Sequence, residues 1–324
     1  MSPPVFPAGI VGHRDQVGSL VQDLASNNVV HAYLFSGPPH LGKFTIAKWF
    51  AKQLLMEGKE GIEGGRLAGE VDKLLHPDLF IIDQLWIEDV CEDFDVIAKS
   101  SNVPQQHRSK AKAKTDTISI EDIRVLHERL HEVSTGTFRC CLIRRVERMQ
   151  VEAVNALLKV LEEPPPGVVF LLSTESLGQL LPTLVSRTRV LRFQRLPNRE
   201  LQSLISGVSE DDVQFLLRIA QGAPGTLCRL RDDPDVLRQE RKIFSDAVTF
   251  WRTGSLSERL RLLTPLSGRT AEAEHFLLHL ALALREFPEV AVNASPSFHV
   301  YLRGLETNAQ RQLLAQQFAL AITE

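Results

Sequence analysis

The sequence predicts an α/β domain built on a five-stranded parallel sheet, followed by an all-helical C-terminal part. Three observations carry this. Five short apolar runs, HAYLFSG, DLFIID, RCCLIRRV, VVFLLSTE and RVLRFQRL, alternate with amphipathic stretches up to about residue 196, the pattern of a parallel sheet covered on both faces. The first run leads into a glycine loop and then into the helix-period segment FTIAKWFAKQLL. After Pro197 the strand signals stop and only helical periodicity continues. A chain of 324 residues accommodates two or three domains of about 100–150 residues.

Each element has its own warrant. Val17, Leu20, Val21 and Leu24 stand at helical spacing before the first strand. Beyond the loop from Gly37 to Gly42, one helical face carries Phe44, Ala47, Phe50, Ala51 and Leu54. The glycine-rich, charged stretch EGKEGIEGGRLAGEVDK reads as an irregular connection. Residues 84–116 read as an insertion, with an acidic half (Glu88, Asp89, Glu92, Asp93, Asp95) before a basic half (Arg108, Lys110, Lys112, Lys114). It is either a solvated loop or a contact for DNA phosphates or an acidic partner. Ser119 with Asp122 forms a capping-box pattern ahead of the stripe Ile120, Ile123, Leu126 and Leu130. In EAVNALLKVLEE the buried face is Val154, Leu157, Leu158 and Leu161, and Pro164 to Pro166 end that helix. Three parts follow: an α/β domain over 1–195, a small helical unit over 196–234, and amphipathic helices over 235–324 in which AEHFLLHLALALREF is the most apolar packing stretch.

Bulk composition narrows the function classes. With 44% hydrophobic and 24% charged residues the chain reads as an ordinary globular protein. A net charge of -3 argues against a generally basic nucleic-acid coat. The cysteines, at 91, 140, 141 and 228, form no C-x-x-C pair, and adjacent Cys140 and Cys141 should face opposite sides of a strand. They read as reduced structural thiols. MSPPVFPAGIVGHRDQ has neither a basic nor an apolar leader region, and no apolar run approaches the ~18 residues of a membrane span. Together these make a cytoplasmic location the simplest expectation.

The chemistry centres on the loop. Gly37, Gly42 and Lys43 fit the phosphate-binding pattern G-x-x-x-x-G-K-[ST], with strand, glycine loop and helix in the order it needs. Lys43 would reach the β- and γ-phosphates, and backbone N–H groups at the helix start would cradle them. The Ser/Thr that ligates Mg²⁺ is replaced by Phe44, which has no oxygen to offer. Thr45 follows one residue late, about 100° further around the helix. Phe44 is expected to pack inward. Two readings stay open: weak or vestigial nucleotide binding, and a purely structural loop.

HAYLFSGPPHLGK, HPDLFIID, VNALLKVLEEPP, VVFLLSTE and LVSRTRVLRF, in this order and with AQGAPGTLCRL after them, resemble the clamp-loader branch of the AAA+ ATPases. The C-terminal third carries no motif of that family. The resemblance implies an AAA+ domain over 1–195, a helical lid over 196–234 and a collar over 235–324. It also implies a heteropentamer that loads a sliding clamp on primer-template DNA, with gamma/tau-like ATPase subunits and a delta-like subunit as partners.

Residue by residue, the resemblance implies a dismantled active site. Where active members carry Asp and Glu after the third strand, this chain has Arg144 and Arg145. A guanidinium is always protonated and accepts no hydrogen bond, so neither can hold a metal or activate water. A register slip would bring Glu147 toward the metal. Thr174 stands at the sensor-1 position, and Arg229 is a sensor-2 candidate only if its helix begins near Thr226. Ser186 and Arg187 match the family's Ser-Arg-Cys motif, with Thr188 in place of Cys. That implies that Arg187 reaches the ATP of a neighbouring subunit, the alternative being an ordinary ion pair. The family often carries a cysteine zinc module after the loop helix; residues 57–76 lack cysteine, so no zinc is expected.

The leading expectation is a non-hydrolysing clamp-loader subunit that needs no cofactor and binds ATP weakly if at all. The enzymatic alternative is an active gamma/tau-like ATPase in which Thr45 and Glu147 replace the missing groups. An unrelated P-loop kinase fits the motif series less well.

Overall fold

The computed structural model describes residues 9–59, 61–82, 117–205, 208–268 and 270–323. The charged insertion at 84–116 and Cys91 lie outside the described residues. The chain divides into two compact units, one reaching Leu204 and including Gly222–Gly225, the other formed by Ile205–Gln221 and the chain from Thr226 onward.

In the first unit, β1 (Ala32–Ser36), β2 (Leu79–Ile82), β3 (Arg139–Ile143), β4 (Val168–Thr174) and β5 (Arg189–Arg192) form one sheet in the order β2-β3-β4-β1-β5. All four pairings are parallel. β1, β3 and β4 are buried along their whole length, as central strands with both faces covered must be, and so is β2 at the edge. Cys140 and Cys141 face opposite cores, one with Phe50 and Leu142, the other with Leu157 and Phe170. The third apolar run is shorter as a strand than RCCLIRRV suggests, because Arg145 takes a left-handed backbone (φ +54°) and turns the chain into a 3₁₀ turn, Val146–Arg148.

One face of the sheet is covered by α1 (Arg14–Ala25) and α2 (Lys43–Leu55), the other by α4 (Ile120–Leu130) and α5 (Val151–Glu162). Asp122 accepts hydrogen bonds from Ser119 N and Oγ, both at 2.9 Å, and so closes the start of α4. The glycine-rich connection is a finding against expectation: α3 (Gly61–Asp72) is a helix. Four glycines weaken it by about 1 kcal/mol each relative to alanine. Buried Leu67 and Val71 and the ion pairs Lys59–Glu63 and Arg66–Glu70 oppose that loss, and Lys52 on α2 pairs with Asp72 at 2.6 Å. Short helices α6 (Pro182–Ser186) and α7 (Asn198–Leu201) flank β5.

The second unit is helical, comprising α8 (Glu210–Ala220), most of α9 (Pro224–Asp232), α10 (Pro234–Arg252), α11 (Leu256–Leu262), α12 (Ala271–Leu284), α13 (Pro288–Leu305) and α14 (Arg311–Thr323). Its core is aromatic. Phe250, Trp251, Phe298, Tyr301 and Phe318 interlock with ring centroids 4.9–6.1 Å apart, and Trp251 Nε1 donates to Leu280 O at 2.9 Å. Among the described residues no helix is long and apolar enough to cross a membrane.

Candidate functional site

The loop between β1 and α2 is fixed from three sides. Gly37 N donates to Thr174 O at 3.2 Å, and Phe193 N donates to Ser36 O at 2.7 Å. Gly225 N donates to His40 O at 2.8 Å. Gly37 sits at φ +151°, where an added Cβ would lie 2.3 Å from Phe193 O, so only glycine fits. Gly42, at φ +83°, lets the chain turn directly into α2.

Lys43 is the first residue of α2, and its side chain folds back into the loop. The ammonium donates to Gly37 O and, at 2.6 Å, to Pro38 O. Burial pulls its pKa down to about 8, against Glu175 and Glu147, which raise it, while Arg144 and Arg145 add to the lowering. The cation expected to reach phosphate is thus satisfied by its own loop.

Phe44 is half-buried against the α2 core rather than fully enclosed. Its ring is covered by Arg144, whose guanidinium carbon lies 4.7 Å from the ring centroid. The position of the metal-binding hydroxyl and the first position after β3 therefore meet in a cation–π contact. Arg145 N donates to Ser173 Oγ at 3.2 Å, and its Nε lies 3.2 Å from Glu175 Oε1 and 3.8 Å from Glu147 Oε1. Glu147 Oε1 accepts from Glu175 N at 3.1 Å, and its buried Oε2 has no partner among the described residues. Thr45 is exposed on α2. A phenyl ring under one guanidinium, with a second beside it, offers no ligand to Mg²⁺ and opposes its charge, and the carboxylate oxygens in this neighbourhood, among the described residues, are those of Glu147 and Glu175.

Thr174 is buried at the end of β4, with its hydroxyl occupied locally. Oγ1 donates to Ser176 O at 3.1 Å and accepts from Ser176 N at 3.2 Å. The structure thus brings Gly37, Lys43, Phe44, Arg144, Arg145, Glu147, Thr174 and Glu175 into one neighbourhood. Sequence reasoning missed Glu175 and the Arg144–Phe44 contact. The signal for that contact was the joint loss of both metal-binding positions, since an aromatic ring and a guanidinium are complementary.

Ser186 and Arg187 belong to a different hydrogen-bond network, at the end of α6. Ser186 Oγ donates to Thr183 O at 3.1 Å. Arg187 is the C-cap residue and donates through Nη1 to Thr183 O at 3.0 Å and through Nη2 to Glu162 Oε1 at 2.6 Å. Two motifs far apart in sequence, VNALLKVLEE and VSRT, are joined by that ion pair, and both side chains are solvent-exposed in part. Nearby Arg189 is different in kind. It grips Asp23 with both oxygens and Ser19 Oγ, while Tyr33 also donates to Asp23, which makes it part of the framework. Arg229 stands on α9, which begins at Pro224, two residues before Thr226, and its Nη2 lies 3.6 Å from Glu240 Oε1 within the helical unit.

Comparison with known proteins places this arrangement. The family model described as DNA polymerase III, delta subunit, matches residues 12–197, more than half of the chain. The DNA polymerase III subunit tau/gamma of Haemophilus influenzae is 29% identical over 227 residues, covering 68% of this chain and 29% of its own length. The DNA polymerase III subunit tau of Escherichia coli K12 is 28% identical over 225 residues, covering 67% of this chain and 31% of its own length. The chain thus spans less than a third of these two relatives. A DNA polymerase III gamma subunit-related protein of Thermotoga maritima superposes with a TM-score of 0.51 at 17% identity, over 95% of this chain and 99% of that one, a likeness of fold. From loop, sheet order and matched region together, the chain belongs to the DNA polymerase III delta-subunit family and is related in sequence to the tau/gamma subunits.

Proposed function

We propose that this protein is a non-hydrolysing, delta-prime-like subunit of a clamp loader. It would act in DNA replication as the stationary member of a heteropentamer with gamma/tau-like ATPase subunits and a delta-like subunit, loading the sliding clamp on primer-template DNA. The observation that carries the reading is the Arg144 guanidinium lying over Phe44. The two positions that would hold Mg²⁺ are spent on each other, and Lys43 is held by loop carbonyls. The loop serves the fold, nucleotide binding is weak or vestigial, and the subunit itself requires no cofactor for this role.

Its contribution to chemistry is Arg187, offered in trans. The pair with Glu162 is partly exposed, and exposed ion pairs are worth only about 0–1 kcal/mol. Exchanging that carboxylate for the γ-phosphoryl group of a neighbour's ATP therefore costs little. A trans arginine that neutralises charge developing on the transferred group typically raises the rate by ~10³–10⁵.

One observation favours the active-ATPase alternative. Glu147 keeps a buried oxygen, Oε2, without a hydrogen-bond partner among the described residues, and lies close enough to Lys43 to raise its pKa. Steady-state Mg·ATP turnover by the purified chain, with Lys43→Ala as control, separates the two. No turnover above the control is expected. Turnover that Lys43→Ala abolishes would make the protein a motor subunit and overturn the proposal.

A further inference from the structure

The helical unit holds a cluster that the nucleotide-loop reading does not use. Glu240 projects from α10, and His275 and His279, one turn apart on α12, face it. Their Nε2 atoms lie 3.0 and 2.7 Å from the same carboxylate oxygen, Oε2. The three potential ligand atoms all lie within 4.8 Å of one another. The other oxygen, Oε1, faces Arg229, so Oε2, on which both imidazole nitrogens converge, is the single carboxylate ligand atom on offer. The imidazole planes are inclined by 75°, so the two nitrogens approach that oxygen from different directions.

Burial and donor chemistry both bear on what this cluster can hold. Glu240 and His279 are inaccessible, at 3% and 0% exposure, whereas the side chain of His275 is 35% exposed and leaves one approach from solvent. His279 Nδ1 is buried with no partner among the described residues, so the ring's orientation is set at Nε2. Two imidazoles and a carboxylate are borderline donors suited to Zn²⁺ and its neighbours. Tetrahedral bonds of about 2.0–2.1 Å put ligand atoms about 3.3 Å apart. The two carboxylate–imidazole separations of 3.0 and 2.7 Å would open toward that value, and the imidazole–imidazole separation, within 4.8 Å, would close toward it.

We propose that Glu240, His275 and His279 form a divalent transition-metal site of the Zn²⁺ type, completed by solvent on the His275 side and clamping α10 to α12. This inference is independent of the reading of the nucleotide loop. The missing cysteines at 57–76 speak only against a cysteine zinc module and do not reach this cluster.

The test is titration of the chelator-stripped full chain with zinc chloride by calorimetry, with thermal unfolding alongside. One equivalent and an upward shift in Tm are expected. Both should be lost in His275→Gln, chosen because that ring is partly exposed and its replacement spares the core. No zinc uptake by the wild type, or equal uptake and an equal shift in wild type and His275→Gln, overturns the proposal. If His275→Gln fails to fold, Co²⁺ loaded into the wild type decides. Tetrahedral visible bands without thiolate charge transfer support the site, and thiolate bands or no bands overturn it.

Discussion

The guanidinium of Arg144 and the ring of Phe44, a hundred positions apart in sequence, lie 4.7 Å from each other at the head of the nucleotide loop. On the proposed reading, the contact turns two positions without oxygen ligands into one packing interaction. If so, restoring one position restores nothing. Phe44→Ser supplies the hydroxyl but leaves Arg144 and Arg145 after β3, and Mg·ATP turnover should stay at background. In stability, Phe44→Ala and Arg144→Ala should be non-additive by about 0.5–1 kcal/mol in a double-mutant cycle measured by denaturant unfolding. Strict additivity would mean that the two side chains are merely adjacent.

Arg187 should behave in the opposite way. Its ion pair with Glu162 is superficial, so Arg187→Ala should change the stability of the isolated chain by no more than about 1 kcal/mol. In an assembled complex it should leave assembly intact and lower turnover at the one ATP site it faces by about 10³-fold or more. Glu162→Ala should leave that turnover near the wild-type level, because it frees the arginine without removing it. Single-turnover ATP hydrolysis by the reconstituted complex reads both. Unchanged turnover with Arg187→Ala would make Arg187 a structural residue like Arg189.

Gly37 and Gly42 separate sterics from strain in the same loop. A Cβ at Gly37 would press on the Phe193 carbonyl oxygen at 2.3 Å, whereas at Gly42 it meets nothing within 4 Å. Gly42→Ala therefore carries only the left-handed backbone penalty, about 1–2 kcal/mol. Gly37→Ala adds overpacking against the backbone entering α7, and should cost about 1–3 kcal/mol more. Both follow from denaturant midpoints of the full chain. A cost for Gly42→Ala equal to that for Gly37→Ala would mean that the Phe193 contact gives way freely.

Most of the α/β unit was legible because it rests on local periodicity. Strands such as β3 and β4 are largely apolar runs, and of the expected α5 face Val154, Leu157 and Leu161 are buried while Leu158 is only partly so, Val160 being buried instead. The helix α3 was not legible, since four glycines in twelve residues outweigh a stripe of two apolar side chains in any local reading. In the candidate site, the placement of Phe44, Arg144 and Arg145 near Lys43 followed from the motif order. What these side chains touch did not. The contacts Arg144–Phe44, Arg187–Glu162 and Glu240 with His275 and His279 join residues 25 to 100 positions apart, and only the folded chain brings them together. The pattern H-x-x-x-H in HFLLH was a visible clue to the last of these, masked by the apolar residues around it.

The low pKa of Glu240 should make the helical unit sensitive to acid. Its folded pKa is about 2 against an ordinary value of 4.5. Above pH 4.5 the carboxyl is ionised in both folded and unfolded chains, and the full contribution to stability is present. As the pH falls from 4.5 toward 2, the unfolded chain takes up a proton that the folded chain still refuses. Stability then declines with each step downward. A difference of this size corresponds to a few kcal/mol by linkage. Denaturant unfolding of the second unit's tryptophan, Trp251, between pH 7 and pH 3 should show this decline in the wild type. Glu240→Gln should be less stable at pH 7, because a neutral amide replaces the ionised group that His275, His279 and Arg229 surround. It should also lose part of the acid slope. A slope below pH 4.5 that Glu240→Gln leaves unchanged would assign acid sensitivity to other carboxylates and detach Glu240 from the stability of the helical unit.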